Sequence, residues 1–223
     1  MFLRATDLED GFLPRRGGIG SFATEEKMDP ETHRERSKKM QEIQRRKQEQ
    51  AVEVRGLLIV NTGAGKGKTS AAMGMGLRIA GHGKRLAVVQ FIKSQSTAER
   101  NILEPLPGVE WHVIGDGFTW DTQDLEGDKA TARRGWEQAK KHLQDPAVDM
   151  VILDELCIVL AKDYLPLETV LADLQARPAM QHAVLTGRGA PAGLLEVADM
   201  VNEIRAVKHP FHAGVVAQPG IEF

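Results

Sequence analysis

The sequence from residue 57 to residue 69 reads LLIVNTGAGKGKT, and this stretch decides the fold. An apolar segment of strand length meets a glycine-rich turn that ends in Gly67-Lys68-Thr69, and a helix-forming sequence begins at Ser70. In a strand, loop and helix of this kind, backbone N–H groups and the helix N-terminus attract an anion. The stretch therefore predicts a phosphate-binding loop at residues 63–69 and argues against a plain glycine turn.

The side chains of this loop have separate expected roles. Lys68 is expected to reach the outer phosphates, and the Thr69 hydroxyl is expected to bind Mg²⁺, while Lys66 adds a second cation. The usual pattern G-x-x-x-x-G-K-[ST] begins with glycine, where this chain has Thr62. The next glycines supply the flexibility instead. We therefore expect a bound phosphate whose placement differs from that in common ATPases and kinases.

Composition limits the class of protein. The chain has 223 residues, 42% of them hydrophobic, and a formal net charge of −2, which predicts one globular domain with a tail. This charge balance does not favour a nucleic-acid binder, and no apolar stretch approaches the roughly 20 residues of a membrane span. The single cysteine, Cys157, lies in an apolar run and is interpreted as a small buried hydrophobe. A soluble cytoplasmic protein without nucleic-acid or membrane partners is expected.

The rest of the chain alternates strand and helix patterns. Strands are predicted at 57–61, 86–92, 109–114, 148–154, 182–186 and near 201–206, and helices near 68–81, 128–144, 166–176 and 191–198. Apolar strands separated by helices indicate a parallel sheet that is covered on both faces. The predicted fold class is α/β, a P-loop (RecA-like) and mostly parallel sheet with helices on both faces, plus an N-terminal helical arm.

Two segments precede the P-loop domain, which is predicted at residues 56–223. Residues 1–30 contain glycine, proline and scattered charges without apolar periodicity, and they predict a flexible extension. Residues 31–55 are dense in Lys, Arg, Glu and Gln and predict a basic helix. Two interpretations of this helix stay open: a solvated helix, which the sequence slightly favours, and a mobile arm that docks over a site or a partner subunit.

A second nucleotide signature lies at residues 149–155, where an apolar strand ends in Asp154-Glu155. Either carboxyl group could bind Mg²⁺, directly or through water. An acidic pair after a strand is also a common helix start, so it indicates a nucleotide site only in combination with the loop at 63–69.

Two further loops follow predicted strands. Residues 115–122 read GDGFTWDT, and Phe118 and Trp120 either pin this loop into the core, as composition alone favours, or form an apolar platform for a flat ligand. Arg188 lies between two glycines after the strand at 182–186. It contacts phosphate or ribose, or it caps a backbone carbonyl; the sequence favours neither.

Together these motifs resemble one family, the ATP:corrinoid adenosyltransferases of the CobA/BtuR type. The likeness runs in one order over residues 31–223, and the first 27 residues have no counterpart, so Met28 lies where related chains begin. The matching segments are 63–69, 88–93, 99–101, 117–120, 153–155, 163–168, 186–189 and 207–209.

The resemblance implies a reaction in which a corrinoid in the Co(I) state attacks the 5′-carbon of ATP and releases triphosphate. The loop would bind the triphosphate in the orientation opposite to that in ordinary NTPases. The implied metal is Mg²⁺ or Mn²⁺, with Thr69, Asp154 and Glu155 as its ligands. The predicted ATP-binding residues are Gly63, Ala64, Gly65, Lys66, Gly67, Lys68, Thr69, Ser70 and Arg188.

The resemblance also assigns Phe118 and Trp120 to the lower face of the corrin ring. An apolar wall there would exclude axial ligands and protect Co(I) in a dry pocket. With Lys68, these two side chains are the predicted catalytic residues. Family members also imply a homodimer whose N-terminal helix covers the site, and a reduced flavoprotein is a candidate electron donor.

Two other functions are compatible with a phosphate-binding loop. A RecA-like P-loop ATPase or kinase would need a water-activating or phosphoryl-transfer group, and the sequence offers no clear one beyond Glu155. A nucleotide-sensing module that binds ATP without chemistry would tolerate loss of the aromatic pair. The sequence is compatible with either a complete cobalamin or an incomplete precursor as the corrinoid substrate of such a transferase.

Overall fold

A computed structural model describes residues 29–92, 97–115 and 124–221 of the chain. Its sheet has six strands in the order β3-β2-β4-β5-β1-β6, and each neighbouring pair is parallel. The predicted α/β class with a parallel sheet is therefore confirmed. The strands are β1 (Leu58–Thr62), β2 (Leu86–Gln90), β3 (Val109–Val113), β4 (Met150–Asp154), β5 (His182–Thr186) and β6 (Met200–Glu203).

The predicted helices are present with ends that differ by a few residues, and two short helices are added. The additions are α3 (Ala98–Leu103) and α5 (Leu156–Ala161). A short 3₁₀ helix spans Pro210–Ala213. The other helices are α1 (Pro30–Gln50), α2 (Lys68–Gly81), α4 (Leu125–Leu143), α6 (Leu167–Gln175) and α7 (Ala192–Val197).

Apolar side chains cover both faces of the sheet, because successive strand residues point to opposite sides. Val60 of β1 belongs to the core cluster on one face, which includes side chains of α4, α5, α6 and α7, whereas its neighbour Ile59 belongs to the cluster on the other face, with side chains of α2 and α3. Three strands, β1, β2 and β4, are buried at every position, and β5 is buried except at its first residue, His182, as strands covered on both faces require. The two edge strands differ, because β3 is partly exposed and β6 is exposed at every position.

The chain divides into two compact units, residues 1–53 and 54–223. In the first unit, α1 is capped by Asp29, whose side chain accepts a hydrogen bond from the Thr32 N–H at 3.1 Å. Exposed ion pairs follow along the helix, such as that between Arg46 and Glu42 at 3.0 Å. Pairs of this kind contribute only about 0.3–0.5 kcal/mol each.

The strand order places the carboxyl ends of β1, β4 and β5 along one edge of the sheet. Parallel α/β sheets bind ligands at this edge, and the loops predicted to carry chemistry leave from it. Of the helices in the described ranges, none has both the length and the apolar character needed to cross a membrane.

Candidate active site

The loop between β1 and α2 depends on its glycines. Gly63 and Gly67 have φ angles of 99° and 104°, which disfavour other residues. The Gly65 N–H donates a hydrogen bond to the Ile204 carbonyl at 2.7 Å, so the loop is supported by the segment that follows β6. A Cβ at Gly65 would lie 2.7 Å from the Arg205 carbonyl oxygen, closer than real contacts allow. The glycines thus permit a close backbone approach.

The predicted phosphate-binding side chains lie at the mouth of this loop. Lys68 is the first residue of α2, is half-buried, and donates a hydrogen bond from Nζ to the Gly65 carbonyl. Ala64, Lys66 and Ser70 are exposed. The N-terminus of α2 adds partial positive charge at the same place. The arrangement can therefore take up a multiply charged anion.

Asp154 joins the loop to the end of β4. It is fully buried, and its Oδ1 accepts hydrogen bonds from the Thr69 hydroxyl at 2.8 Å and the Thr186 hydroxyl at 2.6 Å. Its Oδ2 accepts one from Gln90 Nε2 at 3.0 Å. The structure thereby brings together Thr69 and Asp154, which are 85 residues apart in the sequence.

A second layer fixes the direction of these hydrogen bonds. The indole N–H of Trp111 donates to Gln90 Oε1 at 3.0 Å, which turns the amide nitrogen of Gln90 toward Asp154. The Glu155 N–H donates to the Thr186 hydroxyl oxygen at 2.9 Å, so that hydroxyl donates its own proton to Asp154. Sequence reasoning missed Gln90 and Thr186. The available signal was a polar residue at or near the end of a predicted apolar strand.

The group formed by Thr69, Asp154 and Glu155 suits Mg²⁺ or Mn²⁺, because it offers only hard oxygen donors. Three donors already converge on Asp154, which fits contact with a metal through water, or orientation of Thr69, better than direct ligation. Glu155 is half-buried and has a φ of 65°, an uncommon value for a residue with a side chain. Such strained backbone often marks a functional position.

The remaining predicted residues fall in two groups. Arg188 is exposed and follows β5 at the same edge of the sheet, between Gly187 with a φ of 137° and Gly189 with a φ of 71°. A Cβ at Gly187 would lie 2.8 Å from the Cβ of Cys157. Phe118 and Trp120 lie outside the described residues.

Cys157 is the only cysteine of the chain and lies fully buried in α5. Burial raises the pKa of its thiol to about 12, so the thiol stays protonated at neutral pH. A protonated, buried thiol is a poor nucleophile and a poor metal ligand. Its interpretation as a small buried hydrophobe is confirmed.

Residues 54–223 match the family described as ATP:corrinoid adenosyltransferase BtuR/CobO/CobP. The chain is 51% identical to the corrinoid adenosyltransferase of Pseudomonas aeruginosa, over 86% of this chain and 95% of that protein. It is 50% identical to the corrinoid adenosyltransferase of Escherichia coli K12, over 88% of this chain and 100% of that protein. It is 49% identical to the corrinoid adenosyltransferase CobA of Salmonella typhimurium, with the same coverage.

Proposed function

Since this chain belongs to the ATP:corrinoid adenosyltransferase family, it is a corrinoid adenosyltransferase, and we propose how its residues perform the transfer. In the proposed step, Co(I) of the corrinoid substrate donates an electron pair to C5′ of ATP. The C5′–O bond breaks, and its electron pair leaves with triphosphate. Cobalt is thereby oxidised to Co(III), so that no further oxidant is needed.

The proposed role of the loop at residues 63–69 is to bind the triphosphate so that C5′, and not the γ-phosphorus, faces the corrinoid. The leaving oxygen gains negative charge as the C–O bond breaks. Lys68, the loop N–H groups and the N-terminus of α2 would stabilise that charge in place. The positions of these groups at one mouth of the loop support the proposal.

A divalent ion, Mg²⁺ or Mn²⁺, is proposed to bind near Thr69, with Asp154 and Glu155 beside it. When bound, it would neutralise part of the triphosphate charge. The donor chemistry of these three residues supports the assignment. The buried carboxyl group of Asp154 would orient the Thr69 hydroxyl toward the ion.

The family match over residues 54–223 is the observation that carries the proposal. The direct experiment mixes the full chain with MgATP and chemically reduced cobalamin. We expect the adenosylated corrinoid and triphosphate in equal amounts. Orthophosphate released without corrinoid would support an ATPase or kinase instead. ATP binding with neither product would support a nucleotide-sensing module.

Phe118 and Trp120 are proposed to cover the lower face of the corrin ring. We expect the change of both residues to alanine to lower activity in two assays, one that starts from Co(II) with a reductant and one that starts from preformed Co(I). The loss should be at least about tenfold larger in the Co(II) assay. This difference is about 1.4 kcal/mol of barrier, and we expect it because only the Co(II) route needs an axial position kept empty. Both rates are measured on the same variant. Equal losses would mean that the pair only shapes the loop.

A homodimer, a reduced flavoprotein electron donor and a cytoplasmic location are further proposals. They are supported by the family resemblance of residues 31–223. Analytical ultracentrifugation of the full chain is expected to give the mass of a dimer, and a monomer at working concentrations would contradict it. The electron donor is tested by adding a reduced flavoprotein to the enzyme with bound Co(II) corrinoid. The absorption spectrum of the corrinoid then reports its reduction to Co(I).

A further inference from the structure

A cluster of two histidines and a glutamate lies between the edge strand β3 and the end of α4, away from the site described above. Glu110 and His112 are two residues apart on this strand, and their side chains therefore point to the same face. His142 approaches them from the last turn of α4. Three strands of the sheet, β2, β4 and β5, separate β3 from β1 and its phosphate-binding loop.

The potential ligand atoms of this cluster are close together. His112 Nε2 and His142 Nε2 are 2.8 Å apart, and their ring centroids are 4.8 Å apart. One ligand atom from each of Glu110, His112 and His142 lies within 4.8 Å of the other two. Gln138, one turn before His142 on α4, places its Nε2 at 3.2 Å from His142 and 3.4 Å from His112.

We propose that Glu110, His112 and His142 form a binding site for a divalent transition metal ion of the Zn²⁺ type. Two imidazoles and one carboxylate are a ligand set that Zn²⁺ accepts, with a fourth position left for water. Zn–N bonds of about 2.0–2.1 Å at a tetrahedral angle put the two nitrogens about 3.4 Å apart. The two Nε2 atoms therefore need to move apart by about half an ångström, and the rings need to turn so that both lone pairs point at the ion.

The surroundings permit this rearrangement. Glu110 Oε1 accepts a hydrogen bond from the Arg85 guanidinium at 2.8 Å, but both side chains are nearly half-exposed. Exposed ion pairs of this kind contribute little stability, so the carboxylate can turn toward a metal at low cost. A groove lined by Trp111, Arg134 and Gln138 opens beside His112 and gives an ion access from solvent.

The protonation states also favour a metal. Burial lowers the pKa of both histidines below the ordinary value, and it is the largest cause in each case. At neutral pH the imidazoles are then mostly uncharged, which is the form that binds metals. Asp145 and Glu110 act in the opposite direction on His142, while Arg85 and the other histidine reinforce the lowering.

A bound ion would connect two parts of the fold that sequence order keeps apart. His112 and His142 are 30 residues apart, on an edge strand and on the last turn of a helix. The metal would fasten the end of α4 to β3, and edge strands have unpaired backbone groups on their outer side. Because Zn²⁺ binds the folded chain, it should raise the unfolding temperature in a concentration-dependent manner.

The test is a calorimetric Zn²⁺ titration of the full, untagged and chelator-treated chain, with excess Mg²⁺ to occupy the site near Thr69. We expect one Zn²⁺ per chain and a rise in unfolding temperature. His112→Gln and His142→Gln should each weaken Zn²⁺ binding at least tenfold, since even loss of an outer-shell partner costs about 10–100-fold. Glu110→Gln should weaken binding too. Its side chain is exposed, so this variant keeps the test valid if His142→Gln fails to fold.

His82→Gln is the matched control, because this exposed histidine follows the last turn of α2 and lies outside the cluster. It should bind Zn²⁺ like the unmodified chain. Equal binding by the chain and by the three cluster variants would overturn the proposal. Absence of Zn²⁺ binding by the unmodified chain would also overturn the proposal. The close contact of the two rings would then be a hydrogen bond between the two Nε2 atoms. Neither result would affect the adenosyltransferase assignment, which is tested with ATP and corrinoid.

Discussion

Lys68→Ala should lower the rate of adenosyl transfer by about 10²–10³-fold, measured as initial rates with MgATP and preformed Co(I) corrinoid. Removal of one preorganised charge-stabilising donor has an effect of this size in other enzymes. Charge grows on the leaving triphosphate only as the C5′–O bond breaks. The maximal rate should therefore fall more than the affinity for ATP.

The matched control is Lys84→Ala, which removes a lysine beyond the opposite end of α2. Lys84 is half-exposed and pairs with Asp149 at 3.3 Å, so its loss should change neither the rate nor the fold measurably. Melting curves of both variants check that folding is intact. A Lys68→Ala rate close to that of Lys84→Ala would show that Lys68 does not stabilise the leaving group.

Asp154→Asn should raise the Mg²⁺ concentration needed for half-maximal activity by about 10–100-fold. Asparagine has nearly the same size, but it replaces one acceptor oxygen by an N–H donor. Gln90 already points its N–H group at this position, and two threonine hydroxyls donate on the other side. If the new N–H group turns toward Gln90, it faces a donor; if it turns toward the threonines, both hydroxyls lose the acceptor to which they now donate. We therefore also expect a loss of stability of about 1–3 kcal/mol.

Asp149→Asn supplies the control for this change, since Asp149 precedes the same strand β4 at its opposite end. Its side chain accepts a hydrogen bond from the Arg85 N–H at 2.9 Å, and an amide oxygen can accept the same bond. The Mg²⁺ dependence should stay unchanged in this variant. If Asp154→Asn is destabilised but its Mg²⁺ dependence matches the control, Asp154 supports only the fold.

The loop and its helix could be predicted from sequence because the local signals agree. An apolar strand, three glycines and a helix-forming segment leave one arrangement, and α2 spans Lys68–Gly81 as predicted. The two short helices could not be predicted in the same way. In α5, the run LCIVLA is apolar throughout, and periodicity does not distinguish a buried helix from a strand in so few residues. In α3, AERNIL is short, and only half of its residues are apolar.

The predicted site residues lie in separate loops, and only the fold defines their mutual geometry. The proximity of Thr69 and Asp154 could be expected, because both follow or end parallel strands at their carboxyl ends, where such sheets bind ligands. The roles of Gln90 and Thr186 depend on strand register, which places Gln90 beside Asp154 in the ladder. His112 and His142 come into contact only when α4 packs against the sheet, and no local sequence pattern predicts such a contact.

The support of the loop by the segment after β6 bears on the order in which the protein is made. Asn61 at the end of β1 accepts a hydrogen bond from Asn202 of β6 at 2.8 Å, and these residues are 141 positions apart. During translation, the loop at residues 63–69 leaves the ribosome long before β6 and the segment after it are synthesised. A nascent chain can therefore complete this loop only after β6 and Ile204 have been synthesised, so binding at the loop must follow the synthesis of the last strand of the sheet.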